Sequence, residues 1–435
     1  MHHLSYVLSL KPNLMKNLKF ILIYIGILLL GSCDYQIIET YTANIPIYIT
    51  YEELRASVQI ETTRNLEKPG KIYFYNDFLF INEYLEGIHI IDNSNPSSPQ
   101  NTGFIKIPGN VDIAVKDDIL YADSYVDLVA LDISDLNNIT EVNRIKDVFP
   151  YILPPYDEDY RIDDIDYEKG IVVDWELKKV TKKVDQNTYP VFPWYEDGGL
   201  INSYSNGTSG HSSGSSSFGV GGSMARFTGK DNVLYTIDSY NLKVVDIQHV
   251  EDMFVSKTIS VGWNIETIFP SGDYLFMGSQ SGMFIYDISN PYNPTYVSDY
   301  WHITSCDPVV VEGNYAYVTL RSGNLCGEID DQLDVIDITD LTSPEHVKSY
   351  TMTEPYGLGI DNSTLFVCDG SAGLKIYNAS EPMYISAIAH FESIQAYDVI
   401  PVNGILMLIG DDGLYQYDYS DLTDIHLLSS IIISQ

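Results

Sequence analysis

Apolar runs of roughly four to eight residues, rich in Val, Ile, Leu and Tyr, alternate with clusters of Asp, Asn, Ser, Gly and Pro from Lys71 to the C-terminus. The clearest run recurs as GIHIIDNS (87–94), LVALDIS (128–134), LKVVDIQ (242–248), GMFIYDIS (282–289), LDVIDIT (333–339), GLKIYNAS (373–380) and GLYQYDYS (413–420). Its anchors are Asp92, Asp132, Asp246, Asp287, Asp337, Asn378 and Asp418, a period of about 40 residues. The intervals Asp132–Asp246 and Asp287–Asp337 are longer, and each holds a visible insertion. Within one period, 111–150, four runs stand in order: VDIAV, ILYAD, LVALDIS and TEVNRI. Runs of this composition, broken by turn formers such as Asp117-Asp118 and Asn137-Asn138, read as strands joined by hairpins. Four antiparallel strands per unit form a propeller blade. The pattern predicts an all-β fold, a seven-bladed β-propeller of four-stranded antiparallel blades. The almost wholly apolar third strands suit sheets buried between neighbouring blades. Asp92 and its equivalents are expected to be turn formers that bind local amides, with Pro fixing the bend in Ile-Ser-Asn-Pro (288–291), rather than catalytic groups.

The third-strand motifs HIID, LKVVD and LDVID, together with the block CDPVVVEGNYAYVTLRSGNLC (306–326), resemble the LVIVD-repeat family. The resemblance covers about residues 48–435. It implies a bacterial β-propeller lipoprotein and brings no activity and no catalytic residues.

Residues 1–33 read as export machinery rather than fold. Lys16 and Lys19 precede the apolar run Phe20–Leu30, which ends at Gly31-Ser32-Cys33. A basic start, a short apolar core and small residues before a cysteine describe a lipoprotein signal, with Cys33 as the lipidated first residue of the mature chain. The run is about half of the ~20 residues that a spanning helix needs. Residues 34–68 form a tether, where Thr50-x-x-Glu53 predicts a capping box and a short helix. A strand at Val58–Glu61 would either latch onto the last blade or pack plainly against the ring wall. The propeller takes 69–435, with an insertion at 151–223. The insertion's 166–185 reads as one or two extended strands, and its 203–223 as a flexible Gly/Ser tract. Trp175, Trp194 and Tyr195 would suit a partner-docking arm.

The chain carries 24 basic and 60 acidic residues, a net charge of −36. Removing residues 1–32 takes Lys11, Lys16 and Lys19 and no acid, so the mature value is −39. Such a surface repels phosphate backbones and anionic lipid heads, which speaks against nucleic acid as a partner. The dense basic run Lys178-Lys179, Lys182-Lys183 reads as a solvated strand edge. In an oxidising compartment, Cys306 and Cys326 are expected to form a disulfide across one face of blade five, with Cys368 a buried apolar residue.

The sequence holds no HExxH, GxxxxGK[ST] or GxGxxG pattern, and GSQSG (278–282) has Gln280 where a nucleophile would stand. One constellation follows from aligning the repeats. Asp112, Glu266, Asp307 and Asp398 open first strands at equivalent positions, with Glu83, Asp123, Asp238, Asp369 and Asp411 in the loops after second strands. Both sets emerge on one face. They would either cap their own loops' amides or form an acidic funnel for a cation, calcium foremost, or a polar, sugar-like ligand. Trp263, Trp301 and Tyr356 lie at the same rim. The reading is a lipid-anchored binding or scaffold module of the bacterial cell envelope, the outer membrane ahead of the inner, with a protein or glycan ligand. The alternative is a propeller hydrolase or lyase acting on extracellular polymers through the acidic face.

Overall fold

The computed structural model describes residues 37–184, 218–301, 308–322 and 330–433. Cys33, Cys306, Cys326, Asp307, Trp194, Tyr195 and the tract 203–217 lie outside the described residues.

The turn chemistry of the repeat recurs at all seven anchors. A side-chain oxygen of Asp92, Asp132, Asp246, Asp287, Asp337, Asn378 or Asp418 accepts the backbone amide two residues on, at 2.7–3.0 Å. The residue after each anchor donates its own amide back to the hairpin between the first two strands, as Ile133 does to Asp118 at 2.9 Å and Ile288 to Asp273 at 2.7 Å. These local bonds end the third strand and aim the chain into the fourth. A β-bulge then interrupts every pairing of third with fourth strand, for example at Ile285/Tyr286 and Val335/Ile336. Bulges raise the local twist between the third strand and the outer strand.

The hydroxyl and then the amide of the residue two on hold the carboxyls of Asp92, Asp132, Asp337 and Asp418 below the ordinary aspartate range. At Asp287 the Ser289 amide leads and its hydroxyl follows. A depressed folded-state pKa contributes stability above the unfolded value and loses it as pH falls through the folded one. These turns should therefore add no pH dependence near neutrality and make the melting temperature fall progressively below about pH 4. A melting temperature that rises on acidification through that range would contradict these turns.

Among the described residues, six four-stranded sheets and one six-stranded sheet each hold a sequential antiparallel meander. Their first strands begin at Pro69, Ile113, Phe227, Ile265, Val309, Leu358 and Ala396. Each first strand touches the first strands of the sheets on either side, and the series closes on itself. First strands are buried along their length, as in Ala396–Val402, whereas fourth strands such as Glu345–Thr351 are largely exposed. The first strands thus line the axis and the fourth strands the rim of a β-propeller. The core lies between the sheets. Closure of the ring packs Ile72, Leu79 and Ile81 of the first sheet against Ile400, Met407 and Ile409 of the last. Asn93 and Gln416 seal that seam by exchanging side-chain amide bonds at 2.9 and 2.7 Å.

The expected short helix is present at Tyr51–Arg55, with both bonds of the Thr50/Glu53 capping box formed. It buries Leu54 against Tyr125 and Val126 of the second sheet, and Arg55 pairs with Asp127 at 2.9 Å. The strand that follows does not reach the last blade. Gln59–Glu61 pairs with Gln100–Lys106, the outer strand of the first sheet, not with the last sheet. The helix docks above sheet two, so the chain returns along the outer edge of sheet one.

Two elements escape the repeat pattern. Ile37–Ile49 is a strand that pairs along its whole length with Ile171–Val184, forming a long antiparallel ribbon outside the ring. Arg161–Ile162 adds a short third strand. The second element is Phe218–Arg226, whose residues up to Ser223 belong to the Gly/Ser tract read as flexible. Val220–Gly221 pairs with the first strand of sheet one, and Gly219 donates its amide to Val115 of sheet two at 2.9 Å. The Ala225 carbonyl accepts Ile268 of sheet four at 2.8 Å. The Ser223 hydroxyl accepts the Leu358 amide of sheet six at 3.3 Å. One short segment that bonds to the innermost strands of four sheets lies on the axis. Ser223, Met224 and Ala225 are buried there, so the segment plugs the channel. Its glycines let it fit, since a Cβ on Gly219 would meet Tyr73 Cε1 at 2.4 Å and the Phe74 carbonyl at 2.5 Å.

Candidate functional site

In such a meander, the connections into each first strand and the loops between second and third strands emerge on one face. Among the described residues, that face holds the carboxylates singled out from the sequence, and most of them are engaged with the protein itself. Glu83 accepts the amides of Glu67, at 3.2 Å, and Lys68. Asp123 accepts those of Val111 and Asp112, at 2.7 and 3.0 Å. Asp369 accepts those of Thr353 and Glu354, at 2.9 and 2.8 Å. In all three sheets one carboxylate caps the two amides that lead into the first strand. Asp238 does similar work inside its own loop, on Tyr240 and Asn241.

Third strands supply a basic partner to three of these caps. His89 Nε2 meets Glu83 at 3.0 Å, Lys243 meets Asp238 at 2.5 Å, and Lys375 meets Asp369. Burial pushes the Glu83 carboxyl up, but His89 and the two amides outweigh it and leave it below the ordinary range. Burial dominates at Asp123, whose carboxyl is pushed up to about 6, with the Asp112 charge adding to the rise against the two amides.

Over the first four sheets the entry positions of the first strands alternate in sign, Lys71, Asp112, Arg226 and Glu266, and the seventh carries Asp398. Asp112 is buried and takes Lys71 Nζ at 2.6 Å, the amide of Ile113 at 2.7 Å and the amide of Arg226. Burial holds the Lys71 ammonium low, against the pull of Asp112. Burial raises the Glu266 carboxyl, opposed by Arg226, by the Gln280 amide at 3.3 Å and by Arg321. Arg321 lies over the Tyr356 ring at 4.2 Å, and Tyr356 packs edge-on against Tyr397 at 4.8 Å. Asp398 is fully buried and accepts the Val399 amide. Of the two readings of these carboxylates, capping of loop amides is the one seen at Glu83, Asp123 and Asp369, and the face is a mixed-charge mouth around a plugged axis. Among the described residues, no group of three His, Cys, Asp or Glu side chains could hold a metal ion.

The two indoles at this rim differ from the carboxylates. Trp263 and Trp301 are each 65 % exposed. Trp301 meets the Phe284 ring edge-on at 6.4 Å, and Gly262, next to Trp263, lies against the same ring. Tyr240, 41 % exposed, bonds Val261 through its carbonyl at 3.0 Å. Beside them Asn264 donates to Gln280 at 2.8 Å, and Gln280 donates to Glu266. Tyr356 is buried instead, beneath Arg321.

Selecting acids alone overlooked half of this site. Lys71 and Arg226 occupy the same repeat position as Asp112 and Glu266, about 20 residues before their anchors. A polar residue three before the anchor in an otherwise apolar strand, as in His89, Lys243 and Lys375, was the legible sign of the pairing.

The LVIVD repeat matches at residues 70–104, 109–147, 266–301 and 305–352. This chain carries LVIVD repeats in four segments, consistent with an LVIVD-repeat propeller family. No curated protein matches its sequence. Among solved structures, the chain is similar to a protein from Lactobacillus plantarum. Identity is 11%, the TM-score is 0.51, and the match covers 84% of this chain and 96% of that one. The computationally designed Ika8 protein is 10% identical with a TM-score of 0.48, covering 85% and 88%. Identity at this level speaks for the fold alone. The repeat propeller fits a binding or scaffold module.

Proposed function

We propose that this protein is a lipid-anchored module of the bacterial cell envelope that binds a saccharide on the face bearing Trp263 and Trp301. The observation that carries the reading is the contrast at that face: the carboxylates are engaged with amides and cations, while two indoles stand in solvent. Indole faces stack on apolar C–H surfaces, and the adjacent Asn264, Gln280 and Glu266 offer donors and acceptors to hydroxyls. A ligand held across the rim needs no open channel, which agrees with the plugged axis. Cys33 supplies the anchor in this reading, and the signal before it supports export.

Thermal shift against soluble polysaccharides such as β-glucan, xylan and polygalacturonate tests the proposal. At least one should raise the wild-type melting temperature, because a ligand of the folded state stabilises it. The Trp263→Ala/Trp301→Ala variant should melt like the unliganded wild type and show no shift. A shift of equal size in the double variant would place the ligand elsewhere.

Export also bears on Cys306 and Cys326, which we propose are bridged. Closing a loop of about 20 residues should contribute on the order of 3 kcal/mol. Non-reducing peptide mapping should recover the two peptides joined; two free thiols would refute the bridge.

A further inference from the structure

The ribbon outside the ring has two unlike faces. In an antiparallel pair, directly opposed residues share a face, so Ile38, Thr40 and Thr42 stand with Lys183, Thr181 and Lys179. A 3.0 Å bond between the Thr40 and Thr181 hydroxyls confirms the pairing. On the other face the charges are matched within the protein: Lys182 by Asp163 and Asp164, Arg161 by Glu39 at 3.0 Å, and Lys178 by Glu176. On the first face Lys179 and Lys183 have no ion pair among the described residues. Ile38 and Leu177 flank them, 62 % and 47 % exposed. In a chain of net charge −36, two lysines beside two exposed aliphatic side chains, on the face whose Asn44 holds the Asp157–Tyr160 loop, are an exception to the acidic balance.

Its position gives the exception a meaning. The ribbon's free end is the pair Ile37–Val184, and Cys33 stands four residues earlier in the chain. That stretch reaches about 13 Å when extended. We infer that the Lys179/Lys183 face of the ribbon docks on an anionic lipid surface, the headgroups beside the Cys33 anchor. The inference rests on the anchor reading above. Lysines near an anionic leaflet attract it, and exposed aliphatic side chains enter the interface. The acidic ring, which the same leaflet repels, is held off it by the length of the ribbon.

The test uses the mature chain carrying Cys33→Ser, so that binding reports the ribbon alone. Co-sedimentation is measured with vesicles of phosphatidylglycerol mixed with phosphatidylcholine, and with phosphatidylcholine alone. The protein should bind the anionic vesicles and not the neutral ones, and added salt should release it. The Lys179→Glu/Lys183→Glu variant should lose at least about tenfold in affinity at an unchanged melting temperature. Failure of the parent to bind anionic vesicles, or equal binding by the variant, overturns the inference. The anchor is read separately, by mass spectrometry of the N-terminal peptide from membranes. An unmodified Cys33 there would refute the anchor, and the vesicle result would still decide the ribbon.

Discussion

Asp369→Ala should cost on the order of 3–5 kcal/mol of stability. Asp369 is fully buried and satisfies three groups at once: the Thr353 and Glu354 amides and the Lys375 ammonium. Removing the carboxylate strands a cation whose side chain is only 18% exposed, together with two amides. Breaking one side of a buried pair costs far more than the pair contributes against an apolar replacement, because the remaining charge is uncompensated. In a protein of this size, unfolding entropy is large, so the melting temperature should drop by about 4–6 °C. Asp369→Asn keeps the shape and one acceptor and should cost less. A drop below about 1 °C for the alanine variant would show that the cap and the Lys375 pair contribute little. The same substitution at the exposed Asp411 should leave the melting temperature nearly unchanged.

Gly219→Val should act on the plug instead of the ring. The added atoms would meet both the Tyr73 ring and the Phe74 carbonyl, and a carbonyl in a paired strand cannot move aside as a flexible side chain can. The segment should therefore leave the axis, giving up the pairing of Val220 and Gly221 with Phe74 and Tyr73 and the burial of Met224. Overpacking of this kind costs about 2–3 kcal/mol. Limited proteolysis should then cut within 218–226 in the variant and not in the wild type. Equal protection of both would mean that the axis accommodates a larger segment than the glycines suggest.

The repeat was legible because each unit carries its own instructions. The anchor aspartates, their following Ser or Thr and the apolar third strands recur with the same spacing, and the hydrogen bonds they form are local. What the sequence hid depends on contacts distant in the chain. Ile37–Ile49 reads as unremarkable tether until its partner, more than a hundred residues later, is paired with it. Gly219, Gly221 and Gly222 read as flexibility because composition cannot tell a free linker from a backbone packed too tightly for side chains. The mouth was half legible. The register that brought Asp112 and Glu266 together also holds Lys71 and Arg226, and only by reading every residue at that register, whatever its charge, does the alternation emerge.

The claim that the Trp263/Trp301 face binds a saccharide without altering it can be measured in one titration. Tryptophan emission is followed as a stabilising polysaccharide is added, and the polymer is then recovered and sized. The emission of the wild type should shift and saturate, Trp263→Phe/Trp301→Phe should show no saturable change, and the polymer should keep its length. Saturable binding that survives in the double variant, or a shortened polymer, would contradict the account.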